Sequence, residues 1–324
     1  MPPTPAQNLI GGAWRDSATG ETYEKRSPWR PSVVTGVFPA SGADDAHEAI
    51  AAARDAFPAW AGLPAPARAA FFFRAADAIE ARLERIAQDM TAEMGKPLRE
   101  ARMEAARAAA ILRYSAGEAY RPAGEVYEPS VPRQALYTRR RPLGVAGLIT
   151  PWNFPIAIPV WKLAPALIYG NTVVLKLGYE APRTGLHVAE CFAEAGLPNG
   201  VLNVLTGAGS TAGAALVASR DVRAVSFTGS VAVGHAVRNE ATARNCRVQL
   251  ELGGHNPMLV MADAELDRAV EAAFAGAFWS AGQKCTATRR ILVEEPVYDA
   301  FREKLLARVA AAKVGDPSDP ETEV

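Results

Sequence analysis

The spacing of apolar and polar positions changes character along the chain. Through the first third, apolar residues recur at helical spacing and predict helices over residues 44–57, 66–93 and 97–120, with prolines near the starts and Gly62 and Gly95 near the breaks. A loop rich in proline and glycine, residues 121–132, then precedes a short strand pattern at 135–141, which predicts an arm leaving the main body. From Leu143 the pattern becomes short β-rich runs alternating with helices: strands at 145–149, 172–177, 201–205, 224–227 and 247–250, helices at 156–169, 183–195, 210–219 and 231–242. Apolar strands separated by helices predict a parallel sheet covered on both faces, a doubly wound nucleotide-binding layout. After Gly253-Gly254 a second set follows, with strands at 257–260 and 290–293 and helices at 266–281 and 297–312. Two strands make a thin sheet with unpaired edges, so this second α/β domain reads as incomplete.

Composition narrows the class. A chain of 324 residues that is 49% hydrophobic can fill two domain cores. Its 35 basic residues equal its 35 acidic ones and neither sign forms a long run, so no footprint for nucleic acid or an anionic membrane is present and a small, roughly neutral ligand is favoured. The N-terminus, Met1 to Asn8, has no basic segment leading into an apolar one and no later stretch is long and apolar enough to span a bilayer, which predicts a cytoplasmic protein. Cys191, Cys246 and Cys285 are odd in number and lack metal-ligand spacing; they predict a reducing compartment, no metal, and room for one working thiol. Basic residues are mostly arginine, which makes each of the few lysines informative.

Cys285 lies in the polar loop Gly282-Gln283-Lys284-Cys285-Thr286, whereas Cys191 and Cys246 are embedded in helix and strand patterns. A free cysteine is most often a small buried hydrophobe, and that reading holds for the latter two; Cys285 becomes a nucleophile only if a base or positive potential favours its thiolate. Glu251, in Glu251-Leu252-Gly253-Gly254, falls at a strand end, where carboxylates are usually solvated but where α/β proteins also place ligands. None of His47, His187, His235 and His255 is an evident partner for a thiol-hydrolase triad. Ser226-Phe227-Thr228-Gly229-Ser230 closes a strand and opens a helix whose free N–H groups suit a phosphate, although a serine cap is common without any ligand. Gly207 to Gly213 is not the dinucleotide fingerprint, its third glycine being one place late. Lys176 ends a strand, where surface exposure is the plain alternative; Trp161, beside Lys162, reads as packing. Finally, Thr150-Pro151-Trp152-Asn153-Phe154-Pro155 fixes one amide side chain between aromatic residues and prolines just where a strand ends.

In order and spacing these segments closely resemble the NAD(P)-dependent aldehyde dehydrogenase superfamily over nearly the whole chain, and the run Ser115-Ala116-Gly117-Glu118-Ala119-Tyr120-Arg121 with the loop from Gly282 to Thr288 is similar to semialdehyde dehydrogenases. The resemblance implies that Cys285 thiolate adds to an aldehyde, that Asn153 and the Cys285 N–H form the oxyanion hole, that hydride passes to NAD or NADP, and that Glu251 activates water to release a carboxylic acid. It implies cofactor contacts at Ile149, Thr150, Pro151, Trp152, Lys176, Tyr179, Gly209, Phe227, Thr228, Gly229, Ser230 and Leu252. The domains then read as a cofactor-binding unit (1–120 and 143–252), an oligomerisation arm (121–142) and a partial catalytic domain (253–324), with a small-molecule aldehyde as substrate and a homo-oligomer as the assembly.

Two departures from the family pattern matter. Lys176-Leu177-Gly178-Tyr179 puts tyrosine where many relatives carry the glutamate that binds the ribose 2′-hydroxyl, so a 2′-phosphate is not repelled and NADP joins NAD as a cofactor. The family's Glu-x-Phe segment and terminal strand are not in the sequence, which predicts a C-terminally truncated chain lacking part of its site. For a carboxylated semialdehyde, Arg113 and Arg121 are the cations to consider. The rival readings are an inactive nucleotide-binding fragment and a cysteine-dependent acyltransferase or esterase.

Overall fold

The computed structural model describes residues 5–324; the first residues of the N-terminal segment read above lie outside them. Four short strands come first: β1 (Asn8–Ile10), β2 (Ala13–Arg15), β3 (Thr22–Arg26) and β4 (Val34–Pro39). Four helices follow: α1 (Ala43–Gly62), α2 (Ala65–Ala81), α3 (Leu83–Met94) and α4 (Leu98–Ala116). An exposed hairpin of β5 (Val126–Tyr127) and β6 (Leu136–Tyr137) leads into the alternating set β7 (Val145–Ile149), α5 (Ala157–Ile168), β8 (Thr172–Lys176), α6 (Pro182–Glu194), β9 (Leu202–Leu205), α7 (Ala214–Ala218), β10 (Val222–Gly229), α8 (Val231–Thr242) and β11 (Arg247–Leu252). The remainder is β12 (Asn256–Val260), α9 (Leu266–Phe278), β13 (Thr288–Val293) and α10 (Glu295–Ala310).

The main sheet runs β11-β10-β7-β8-β9-β1-β2, parallel through its first five strands and antiparallel at β1 and β2. From β7 the chain steps through β8 to β9, then crosses back to place β10 on the other side of β7, so the strand order reverses between β7 and β10. Ligands of doubly wound folds bind at the carboxyl edge of such a switch point. Period-two alternation sends Val173 and Leu175 of β8 into the core under α2, α4, α5 and α6, and Val174 into the core under α1, α7 and α8. β12 and β13 form a separate parallel pair, whose core is Val260, Val270, Ala273 and Phe301.

The structure corrects several predicted boundaries. The helix expected over 66–93 is two helices broken at Arg82 (φ −107°, ψ 10°), whose guanidinium donates to the Cys191 sulfur at 3.3 Å. α1 continues through Pro58, because buried Trp60 anchors its last turn by donating Nε1–H to the Leu167 carbonyl at 3.1 Å. The arm strand shrinks to Leu136–Tyr137, and the helix expected from Ser210 opens instead as a wide turn over Gly209–Gly213. The strands β1 to β4 are not among the predicted elements: β1 and β2 have three residues each, β3 is mostly polar, and Thr35-Gly36 splits the apolar positions of β4. Among the described residues no helix is long and apolar enough to cross a membrane.

Candidate active site

The loop from β7 to α5 carries Asn153 across the carboxyl edge of the sheet. Thr150 extends the ladder, its N–H donating to the Lys176 carbonyl at 3.1 Å. The loop then passes so close to the exit of β8 that a Cβ on Gly178 would stand 2.7 Å from the Pro151 carbonyl carbon; only glycine fits this crossing. From below, the Lys96 ammonium donates to the Asn153 carbonyl at 2.9 Å and lies 4.1 Å from the centre of the Phe154 ring. Lys96 is paired with Glu104 of α4, the two side chains being 1% and 2% exposed. The other Glu104 oxygen accepts the N–H groups of Ile156 and Ala157, each at 3.1 Å. The Asn153 amide donates to the Gln283 carbonyl at 2.9 Å, which sets the predicted oxyanion donor against the loop of the predicted nucleophile.

That loop begins sooner than the periodicity predicts. After Phe278 the chain leaves the helix, and Ser280 (φ 59°), Ala281 (φ 53°) and Gly282 (φ 70°) are consecutive left-handed residues, a conformation costing roughly 1–2 kcal/mol for each residue with a Cβ. Ser280 Oγ donates to Glu100 of α4 at 2.7 Å, the Gln283 amide donates to the Met94 carbonyl at 3.2 Å, and the Lys284 ammonium donates to the Ala275 carbonyl at 3.1 Å. Cys285 is exposed, and its carbonyl accepts from Asn256 Nδ2 at 2.6 Å.

Cys285 lines two cavities. One, of about 440 Å³, is walled by Trp152, Asn153, Thr228, Gly229, Ser230 and Leu252. The other, of about 790 Å³, lies against the open face of the sheet and is walled by Leu148, Trp161, Lys162, Ser226, Arg247 and Glu251. Glu251 stands opposite Thr228 in the β10–β11 register and accepts from the Gln249 amide at 2.9 Å. Lys162 donates to Ser226 Oγ at 2.7 Å and to Gln249 Oε1 at 3.2 Å; burial pulls its ammonium down to about 8, opposed by the Glu251 charge. Arg113 pairs instead with Asp77 (2.7 Å) and Glu80, and Arg121 with Glu118 (3.1 Å). Neither lines the larger cavity, whose cations are Lys162 and Arg247. Trp161, read as a packing residue, is 44% exposed on that cavity's wall, with the Arg107 guanidinium 5.0 Å from its ring centre.

The predicted cofactor residues fall into two groups. Pro151, Trp152, Thr228, Gly229, Ser230 and Leu252 line the smaller cavity, with Ile149 and Phe227 buried behind them. Ser230 caps α8, its hydroxyl accepting the Val233 N–H at 3.4 Å. Lys176, Tyr179 and Gly209 gather about the Gly207–Gly209 turn. The Lys176 ammonium, which burial pulls down to about 8, donates to the carbonyls of Leu177 (2.8 Å) and Gly207 (3.0 Å). Tyr179 stacks on Tyr23 at 4.3 Å, and the Tyr23 hydroxyl accepts the Gly207 N–H at 3.3 Å. The first-turn N–H groups of Val231 and Ala232, which the Ser230 hydroxyl leaves uncapped, and the half-exposed Trp152 indole suit a phosphate and a flat ring. Cys191 and Cys246 are buried, and burial pushes the Cys191 thiol up to about 11, as expected of packing thiols. Among the described residues no cluster of His, Cys, Asp and Glu could hold a metal.

The sequence profile of the aldehyde dehydrogenase family matches residues 14–324. This chain belongs to the aldehyde dehydrogenase family. Alpha-ketoglutaric semialdehyde dehydrogenase of Bacillus subtilis (strain 168) is 48% identical over 310 residues, which are 95% of this chain and 63% of that protein. Among solved structures, an NAD-dependent aldehyde dehydrogenase from Sinorhizobium meliloti superposes with a TM-score of 0.97 at 39% identity, over 99% of this chain and 64% of that one. An E. coli NADP dependent enzyme gives 0.96 at 38%, over 99% and 66%. The chain thus spans less than two thirds of the length of these three proteins.

Sequence reasoning missed Lys96, Glu100, Glu104 and Lys162. A signal was present: in a chain with seven lysines, four of them (Lys96, Lys162, Lys176 and Lys284) have their ammonium groups engaged around the site.

Proposed function

We propose that this chain carries the nucleophile, the base and the oxyanion donor of an NAD(P)-dependent semialdehyde dehydrogenase. The observation that carries the proposal is the position of Cys285, on the wall of one cavity shared with Asn153 and of another shared with Glu251. The Cys285 thiolate adds to the aldehyde carbon, and charge grows on the carbonyl oxygen. The Asn153 amide has two N–H donors; one bond to the Gln283 carbonyl holds its plane, leaving the second for the oxyanion. The chemistry supplied by bound NAD(P) is acceptance of the hydride. Trp152, the Gly229–Ser230 turn and Leu252 would hold the cofactor on the smaller cavity's side, with Lys176, Tyr179 and Gly209 at the far end of the edge. Glu251 then takes the proton of the water that attacks the Cys285 thioester, and the carboxylic acid leaves.

A carboxylated substrate accords with the name of the Bacillus subtilis relative and with Lys162 and Arg247 on the larger cavity. The exposed apolar hairpin, with Val126 87% and Tyr137 65% accessible, supports a homo-oligomer, and three free cysteines support a reducing, cytoplasmic setting. The test is Glu251→Gln in the full-length enzyme. It should give one burst of reduced cofactor, equal to the concentration of sites, and then stall as the acyl-enzyme. Sustained turnover in that variant would sink the assignment.

A further inference from the structure

We propose that the buried Lys96–Glu104 pair is a positioning device for the reaction: by holding the Asn153 carbonyl, it sets the direction in which the Asn153 amide donates. This rests on the reading above only in taking Asn153 as the oxyanion donor. Lys96 stands in the turn between α3 and α4, and Glu104 on α4; neither belongs to a loop that it holds. Together they fix the Asn153 carbonyl, the Phe154 ring and the N–H groups of Ile156 and Ala157. With its carbonyl held, the peptide plane following Asn153 is set, and the root of the side chain with it. The same corner reaches the other loop, where the Met94 carbonyl and Glu100 hold Gln283 and Ser280. One rigid corner therefore registers the donor against the nucleophile, and the Asn153–Gln283 bond closes the circuit.

Stability alone accounts poorly for this arrangement. Burying an ammonium and a carboxylate removes both from water, and a well-packed apolar pair of similar volume is often as stable or more so. A pair that is 1% and 2% exposed is better explained by the geometry it imposes, since a misplacement of about 1 Å can cost on the order of 100-fold in rate.

Two reactions of Cys285 separate positioning from thiol reactivity. With p-nitrophenyl acetate, a sulfur–carbonyl bond forms and p-nitrophenolate leaves through a tetrahedral oxyanion, without any cofactor. With iodoacetamide, the thiolate displaces iodide at saturated carbon and no oxyanion arises. In Lys96→Met/Glu104→Gln, the glutamine oxygen still accepts the Ile156 and Ala157 N–H groups, while the Asn153 carbonyl and the Phe154 ring lose the ammonium. Acylation relative to alkylation should fall roughly 10–100-fold in this variant, with the alkylation rate unchanged. Adding Asn153→Ala should bring no loss beyond that of Asn153→Ala alone, because the pair acts through that side chain. Glu104→Gln alone, which keeps the oxygen that accepts the Ile156 and Ala157 N–H groups and withdraws the one that accepts from Lys96, should move the ratio a few-fold in the same direction and serves if the double variant unfolds. An unchanged ratio in either variant, losses that multiply with Asn153→Ala, or a parent chain that alkylates but never acylates would each overturn the proposal. Normal acylation without reduction of NAD(P) would instead sink the dehydrogenase reading and leave this one standing.

Discussion

The Asn153 loop and the Cys285 loop meet through one hydrogen bond, yet they are built on opposite principles. The first is short, bounded by Pro151 and Pro155, and fastened from below by a buried ion pair. The second follows three left-handed residues, exposes its cysteine, and leaves Glu100 Oε1 and Gln283 Oε1 buried with no protein partner among the described residues. A donor gains from preorganisation, because it must already point where charge will develop. The proposed nucleophile must be reachable from two sides, and the strained turn sets Cys285 on the walls of both cavities. Conformational freedom has been removed at one loop, and backbone strain is stored at the other.

The largest expected effect falls on the rigid side. Asn153→Ala removes the proposed oxyanion donor and should lower the rate of Cys285 acylation by about 100–1000-fold, about 2.7–4 kcal/mol, with cofactor affinity measured by fluorescence titration unchanged. A loss confined to KM would show that Asn153 binds substrate without stabilising an oxyanion.

Next comes Lys162, on the helix that the Asn153 loop opens into. Its ammonium is drawn from an ordinary 10.5 to about 8, first by burial and against the Glu251 charge. Between those values the unfolded chain binds a proton that the folded one does not, so stability rises with pH through that window and is lowest below it. Lys162→Met should remove a cost on the order of 3 kcal/mol at neutral pH, less what Ser226 and Gln249 lose as partners. Lys176, also drawn down to about 8, stays in place, so the rise should be reduced and not abolished. The cleanest reading lies between pH 8 and 9, before loss of the Cys191 proton in the unfolded chain adds the opposite slope. Denaturant midpoints measured at both pH values give the answer; an unaltered slope in Lys162→Met would refute it.

How much of this was legible in sequence follows from how each feature is encoded. β7 and β8 are buried along their whole length, so their apolar runs mark them almost residue by residue. β11 alternates exposed and half-buried positions and was placed but cut two residues short, leaving Glu251 just past its predicted end. Asn153, Glu251 and Cys285 are singled out because their neighbours form a spaced set of local motifs. Lys96 and Glu104 are not, because an ion pair between a turn and a helix reads as two solvated charges until the fold buries it. The break at Arg82 was likewise invisible: no glycine or proline marks it, and the tertiary contact of Arg82 with α6 is not a local signal.

The strained loop supplies the smaller effects, and two neighbouring substitutions there should differ in sign. Ser280→Gly relieves a left-handed residue but removes the hydroxyl that donates to Glu100 at 2.7 Å, leaving the carboxylate buried with neither oxygen satisfied by protein; a hydrogen bond to a charged group is worth about 1.5–3 kcal/mol, so stability should fall. Ala281→Gly relieves the same strain one residue later at an exposed position whose methyl holds nothing in place. Relief of about 1–2 kcal/mol, less the roughly 0.5–1 kcal/mol of extra entropy that glycine brings to the unfolded chain, leaves a net gain of roughly 0.5–1 kcal/mol. Chemical denaturation should therefore move to higher midpoint for Ala281→Gly and to lower midpoint for Ser280→Gly. The alkylation rate of Cys285 decides what the strain is for. If Ala281→Gly is more stable but reacts more slowly with iodoacetamide, the turn is holding the thiol outward; if the rate is unchanged, the Glu100 and Asn256 contacts suffice to hold it there.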